Sequence, residues 1–460
     1  MKKLIPLDSS FRDSAGFVYA YGDKILRSVT SFGKIHYQLY LASGLRELFE
    51  KNVYVIPFTE VTRPSIKGAW KMLRVERIPF ITYPYEWTFE MFKDAAMLVL
   101  RIEQMSLNHG MSLKDASAYN VQFSDGKPVW IDLLSFEQYV EGNPWNAYGQ
   151  YCRHFLAPLL LMAKTNAQLS RLGQLWIDGI PLDVASCLLP WSTRMNANIY
   201  IHIHLHASLV RTGTNNTKML PNKKEIFTLQ DRLNLIQSLL DTIEALDMHH
   251  DSSPWASYAD HTSYTVNAEA EKKKIVETVV EKIKPSNVLD IGANSGTYSK
   301  IAAINSGFVV AIDNDMNALQ DMSKSLKKSQ INNILPLYVD LTNPTPSVGW
   351  KNTERLSFLA RSTYDLVLVL AVIHHLVVGN NLSFRNVARM LSDMSTYVLV
   401  EFVPQTDEMV KKMMQSRERL FTQYSQEAFE AEFSEYFHLV NQFTLSESDR
   451  RLFLFKKKHI

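Results

Sequence analysis

Apolar positions follow two rhythms along this chain. In the first half they recur every three or four residues, so YQLYLASGLRELFEKN from Tyr37 and EWTFEMFKDAAMLVLRIEQMSLNH from Glu86 read as helices, the second ending at Gly110. Short strand patterns surround the first of these: GFVYAY and DKILRSV flank Gly22, and YVIPF follows. Residues 145–245 read as mostly helical, with interruptions at Pro158, Pro181, Pro190 and the polar loop RTGTNNTKMLPNKK. Around Asp251 the composition shifts, and the stretch SPWASYADHTSYT from Ser253 is expected to be a linker or lid. Beyond it the rhythm changes. Helix NAEAEKKKIVETVVEKIK, strand NVLDI, helix SKIAAI, strand FVVAID, helix ALQDMSKSLKK, strands ILPLYVD and YDLVLVLAVI, helix FRNVARMLSDM and strand YVLVEF succeed one another. Such alternation predicts an α/β fold with a parallel, doubly wound sheet covered by helices. The tail, from FHLVNQF to RLFLFKKK, is expected to close it as an antiparallel hairpin. The expected division is a first domain over 1–250 and a second over 251–460.

Composition narrows the class without naming a function. A chain of 460 residues is long for one domain, and 46% hydrophobic with 21% charged residues is globular. With 49 Lys+Arg against 47 Asp+Glu, the formal charge of +2 gives no global attraction to nucleic acid or an anionic membrane. Cys152 and Cys187 are the two cysteines, too few for a disulfide framework or a cysteine-rich zinc site. The apolar runs FLAPLLLMA and LVLVLAVI are too short to span a bilayer, and MKKLIPLDSSFRDS turns polar after Leu7, unlike a signal peptide. A cytoplasmic setting is the expectation; the oligomeric state is left open.

The loop DIGANSG places Asp290, Gly292, Asn294 and Gly296 between a strand and its helix, where backbone can approach a ligand closely. A dinucleotide fingerprint would need glycine at Asn294 and Thr297 as well, which disfavours NAD. Asp313 ends the next strand, where a carboxylate can accept both hydroxyls of a ribose, and Asp340 ends the third, within reach of an adenine edge. Together with Asp365 in YDLVLVLAVIHHL, this set resembles the class I S-adenosylmethionine-dependent methyltransferases. That resemblance implies a seven-stranded Rossmann-like sheet with one reversed strand, and S-adenosyl-L-methionine held by Asp290, Gly292, Asn294, Gly296, Asp313 and Asp340. WASYADHTSYT, Gly349-Trp350, AVIHHL and, upstream, YPYEW, LKDASAYN and IDLLSFE are similar to a bacterial nodulation-type and O-antigen-associated subgroup. The expected acceptor is a small molecule or glycan precursor.

Methyl transfer is an in-line displacement, so positioning supplies most of the acceleration, and a base is needed only for a protonated nucleophile. His374 and His375 follow the fourth strand, where either can take such a proton; turnover would then fall as pH drops through the ordinary imidazole value of about 6.5. The alternative is that the pair shapes the pocket. Glu401, ending the fifth strand, orients an acceptor or caps a loop. Trp350 is a lid or a core anchor.

The stretch LKDASAYNVQFSDGKPVWID carries a different spacing. Asp115, Asn120 and Asp132 are set around a short hairpin like the base and metal ligands of small-molecule kinases of the aminoglycoside phosphotransferase type. This resemblance implies a reduced kinase-like α+β first domain, with Lys24 or Arg27 facing a nucleotide and Asn120 and Asp132 as magnesium ligands if the site is live. No glycine-rich phosphate loop precedes Gly110, and Leu113 stands where a histidine is usual. A bifunctional kinase and methyltransferase is therefore the alternative function, and hydrogen bonds tying down a loop are the alternative role for Asp115 and Asn120. In IYIHIHLH, a strand would place His202, His204 and His206 on one side as a zinc site, whereas a helix would scatter them. The runs EKKK near Lys272 and KKK at Lys456 read as solvated charge.

Overall fold

The structure, a computed structural model, describes residues 3–62, 64, 66–211, 227–248, 265–415 and 424–458. Most of the polar loop after Arg211 and the expected linker over 251–264 lie outside the described residues. The chain forms two compact units, Met1–His249 with Ser347–Leu356, and His250–Pro346 with Ser357–Ile460.

The first unit opens with five strands: β1 (Leu4–Pro6), β2 (Val18–Tyr21), β3 (Lys24–Thr30), β4 (Phe58–Val61) and β5 (Ala69–Val75). They form an antiparallel sheet in the order β1-β2-β3-β5-β4, and the β2–β3 hairpin turns at Gly22. The YQLYLASGLRELFEK pattern splits into two helices, Lys34–Ala42 and Leu45–Lys51. The break falls at Gly44, whose φ of +76° reverses the chain at a conformation costly for any residue with a Cβ. YVIPF forms a single bridge, Val55 to Trp130, and the strand begins after it at Phe58.

The helix Phe89–Leu107 is capped by the Thr88 hydroxyl, which accepts from the Met91 amide. It buries Phe92, Leu100 and Ile102 in the core that also holds Trp87 and Trp130. Two short hairpins follow: β6 (Met111–Leu113) pairs with β9 (Phe136–Gln138), and β7 (Val121–Ser124) with β8 (Lys127–Trp130). The remainder, to Arg211 and from Leu229 to Glu244, is helical.

The segment 347–356 leaves the second half of the sequence to complete this first unit. Glu354, 2% exposed, accepts from Arg12 Nε at 2.7 Å and Nη2 at 2.9 Å. The Tyr83 hydroxyl accepts from the Leu356 amide at 2.9 Å. Trp350 in this segment is 64% exposed, so it is not a core anchor.

The second unit is a seven-stranded sheet. Its strands are β10 (Asn287–Ile291), β11 (Phe308–Asp313), β12 (Ile334–Tyr338), β13 (Tyr364–Val369), β14 (Ser395–Phe402), β15 (Phe437–Leu445) and β16 (Ser448–Lys457). Their order is β12-β11-β10-β13-β14-β16-β15; β10 to β14 pair in parallel, and β16 runs antiparallel to both its neighbours. Near-continuous runs of Val, Leu and Ile in β10, β11 and β13 suit strands covered on both faces by helices. Strand order reverses between β10 and β13, which opens a crevice at their carboxyl ends. Among the described residues, no helix is long and apolar enough to cross a membrane.

Candidate functional site

A cavity of about 530 Å³ occupies that crevice. The loop after β10 forms its floor. Gly292 (φ +70°) has no room for a side chain, because a Cβ there would lie 2.5 Å from Val372 Cγ2. Asn294 tolerates its φ of +49°, and its amide donates to Asp313 at 2.8 Å. Gly296 does not line the cavity; with φ +80° it starts the helix Thr297–Ile304 and packs where a Cβ would strike Met322.

Three carboxylates ending successive strand positions face the same space. Asp290 is 2% exposed and accepts from the Ser299 hydroxyl at 2.6 Å; burial pushes its pKa up to about 7. Asp313, at the end of β11, accepts from the amides of Asn294 and Asp315; burial raises its pKa against those hydrogen bonds. Asp340 accepts from the amide and hydroxyl of Thr342 at 2.9 and 2.7 Å. Asp365 is elsewhere. It begins β13 at the opposite edge and accepts from the Ser286 amide at 2.7 Å, a structural cap.

The two histidines separate. After β13 the chain passes through Ala371 at φ +55° into a wide helical turn over His375–Gly379. His375 lines the cavity, whereas His374 is fully buried and does not. Their rings lie 4.1 Å apart. A base for an acceptor in the cavity therefore cannot be His374. Burial, aided by the charge of Arg450, pushes His375 down to about 4, so its imidazole is neutral at physiological pH and the expected titration near 6.5 is corrected downward.

Lys272 was not expected here. It comes from the helix Val266–Ile283, is 2% exposed, and places Nζ 2.6 Å from Glu401 and 4.6 Å above the Tyr298 ring. Glu401 also meets Arg450 at 3.5 Å, and Arg450 meets Asp407 at 2.8 Å. Glu401 is thus committed to a buried charge network. The solvated-charge reading of EKKK fails at Lys272 because Ala268, Lys272, Val276 and Val280 share one helix face, and that face is buried. Tyr298, Asn380, Met409 and Met413 complete the wall.

In the first unit Asp115, Asn120 and Asp132 do converge, but the set is internally satisfied. Arg27, itself buried, donates from Nη2 to Asp132, and Lys24 is exposed. Asp132 also accepts from the Leu134 amide at 3.1 Å. Asp115 accepts from the Ser117 amide at 2.9 Å and Gln150 at 2.7 Å; burial and then the charge of Asp132 raise its pKa. A guanidinium on Asp132 supplies the charge that a magnesium ion would otherwise supply.

IYIHIHLH is helical, so the zinc geometry fails. His202 bonds Tyr148 and Ser238 at 2.8 and 3.0 Å, while His204 bonds Ser186 and Thr193 at 2.8 and 2.9 Å. Among the described residues no group of three His, Cys, Asp or Glu side chains is arranged to hold a metal.

No protein-family model matches the chain. It is 32% identical over 461 residues to the nodulation protein NoeA of Rhizobium meliloti (strain 1021), covering 97% of this chain and 95% of that protein. Solved structures similar to part of it include the N-methyltransferase NodS of Bradyrhizobium japonicum WM9, at 14% identity and a TM-score of 0.31, covering 41% of this chain and 96% of that one. The magnesium protoporphyrin IX methyltransferase ChlM of Synechocystis PCC 6803, with bound SAH, matches at 15% identity and a TM-score of 0.32, covering 44% and 92%. The bifunctional kinase-methyltransferase WbdD matches at 18% identity and a TM-score of 0.29, covering 45% and 42%.

Proposed function

The chain belongs to the family of the nodulation protein NoeA, and from that premise we propose that it is an S-adenosylmethionine-dependent methyltransferase acting on a small-molecule or glycan-precursor acceptor in the cytoplasm. One observation carries the reading. A glycine-floored loop and the three carboxylates Asp290, Asp313 and Asp340 surround a single cavity of about 530 Å³ where the strand order reverses.

The residues fit the cofactor. Gly292 leaves space for a ligand against backbone, Asp313 would accept the ribose hydroxyls, Asp340 would meet the adenine edge, and buried Asp290 would face the cationic amino-acid end. When bound, the cofactor supplies an electrophilic methyl group on a sulfonium. His375 would hold the acceptor by a hydrogen bond from a neutral ring. With its pKa at about 4 it is a poor resting place for a proton near pH 7, so the pocket acts mainly by orientation and exclusion of water. Tyr298, Met409 and Met413 would close around the acceptor.

The first unit we read as a reduced kinase-like domain that holds substrate. Its five-stranded order, with two helices between β3 and β4, supports that reading, and the Arg27–Asp132 pair counts against phosphoryl transfer.

Calorimetry of S-adenosylmethionine binding tests the proposal. Asp313→Ala should weaken affinity by about one to two orders of magnitude, since a charge-assisted hydrogen bond is worth roughly 1.5–3 kcal/mol. Asp313→Asn, which keeps an oxygen for the loop amides, should lie between. Absence of binding to the wild type would overturn the function, and unchanged affinity in both variants would remove Asp313 from the site.

A further inference from the structure

Five-residue helical winding is rare and clusters at functional positions. Among the described residues it occurs three times. One instance, His375–Gly379, lines the pocket already described. The other two, Cys152–Leu156 and Tyr200–Leu205, both border a second cavity, wholly within the first unit and also of about 530 Å³. Arg153 comes from the first wide turn, and His206 immediately follows the second.

This second cavity is built rather than incidental. Gly179, at φ +88°, packs so closely that a Cβ would lie 2.7 Å from Arg153 Cβ, and the Ile180 amide donates to the Arg153 carbonyl at 3.0 Å. Arg153 Nε donates to the Asp178 carbonyl at 3.3 Å, which turns the guanidinium along the wall. The His206 ring lies parallel to Tyr148, 4° from coplanar and 5.1 Å between centroids. Tyr148 in turn is held by His202 at 2.8 Å. Trp176 is half-buried, and Leu175 at the rim is 73% exposed.

What these groups offer a ligand is specific. Among the described residues, the outer nitrogens of Arg153, the indole N–H of Trp176 and the carboxylate of Asp183 carry no hydrogen bond to protein. The wall therefore presents planar donors, planar acceptors and a broad aromatic surface together. Arg153 opposes a cationic ligand, and Asp178 with Asp183 opposes a phosphate or carboxylate. A neutral molecule with many hydroxyls and apolar C–H faces satisfies all of these groups at once.

We propose that the cavity lined by Arg153, Trp176, Asp178, Asp183 and His206 is a binding site for a neutral oligosaccharide, with Trp176 as its stacking platform. The site does not depend on methyl transfer, because none of its residues belongs to the second unit. Saturation-transfer NMR and calorimetry on the full chain, with the neutral trisaccharides of glucose, mannose and N-acetylglucosamine as probes, test it. At least one should bind at millimolar concentration or tighter. Trp176→Ala should weaken that binding about tenfold or more, and Asp183→Asn, at an exposed position, by several-fold with an unchanged melting temperature. S-adenosylmethionine affinity, read on the same samples, reports on the other unit and should stay constant. No binding of any of the three sugars, binding that survives both substitutions, or binding confined to phosphorylated sugars would overturn the proposal, whatever the outcome for the cofactor.

Discussion

Adjacent residues in this chain have opposite fates, and His374 and His375 are the sharpest case. Both follow β13 in sequence, yet one is sealed in the core and the other lines the cavity, because the wide turn beginning there rotates them apart. Neighbouring charge decides the rest. Burial and Arg450 together favour the uncharged ring of His375, which holds its pKa at about 4. Above that value the ring stays neutral, so turnover should be flat from about pH 5 to pH 8 and fall only as pH approaches 4. A pH–rate profile of the wild type, with an NMR titration of the His375 ring, checks this. A kinetic step near 6.5 that vanishes in His375→Gln would restore the histidine as a general base. His374→Ala should act on stability instead, since it empties a buried site without altering the cavity wall.

At the scale of elements, the β10 loop, the helix Thr297–Ile304 and the turn after β13 form one interlocked device. Its tightest contact is between Gly292 and Val372. Gly292→Ala adds a methyl group 2.5 Å from Val372 Cγ2 and places alanine at φ +70°. The left-handed conformation alone costs roughly 1–2 kcal/mol, and the clash adds to it. The variant should melt lower and lose most cofactor affinity. Adding Val372→Ala removes the clash but leaves the backbone strain, so the double variant should recover part of both. Full loss in the double variant, measured by differential scanning fluorimetry and calorimetry, would show that the loop conformation rather than this contact sets the site. The helix Val266–Ile283 carries a related lesson. Its apolar face has a lysine in the middle, and Lys272 is tolerated there because Glu401 meets it at 2.6 Å.

For the whole molecule, the segment 347–356 matters most, because the first unit is not continuous in sequence. Residues 1–249 alone lack Glu354, the partner of Arg12, and the Leu356 amide that binds Tyr83. Such a fragment should unfold at lower denaturant than the same unit in the full chain. Glu354→Ala in the full chain should destabilise that unit by about 1–3 kcal/mol, the usual cost of removing one partner of a buried polar contact. Urea titrations followed by unit-specific fluorescence check both, and equal midpoints for fragment and full chain would make the segment dispensable. Several features were legible in sequence alone: the strand and helix alternation after Asn267, the closing hairpin, the glycine-floored loop, and the carboxylates Asp290, Asp313 and Asp340 at strand ends. These depend on short-range periodicity and on the rule that parallel strands present their carboxyl ends to one edge. Tertiary structure alone decided the rest. Arg27 reaches Asp132 across 105 positions, Arg12 reaches Glu354 across 342, and three histidines that alternate in IYIHIHLH wind onto a helix with separate partners. Which charges are buried, and against what, is set by packing between segments distant in sequence, and local pattern carries no record of it.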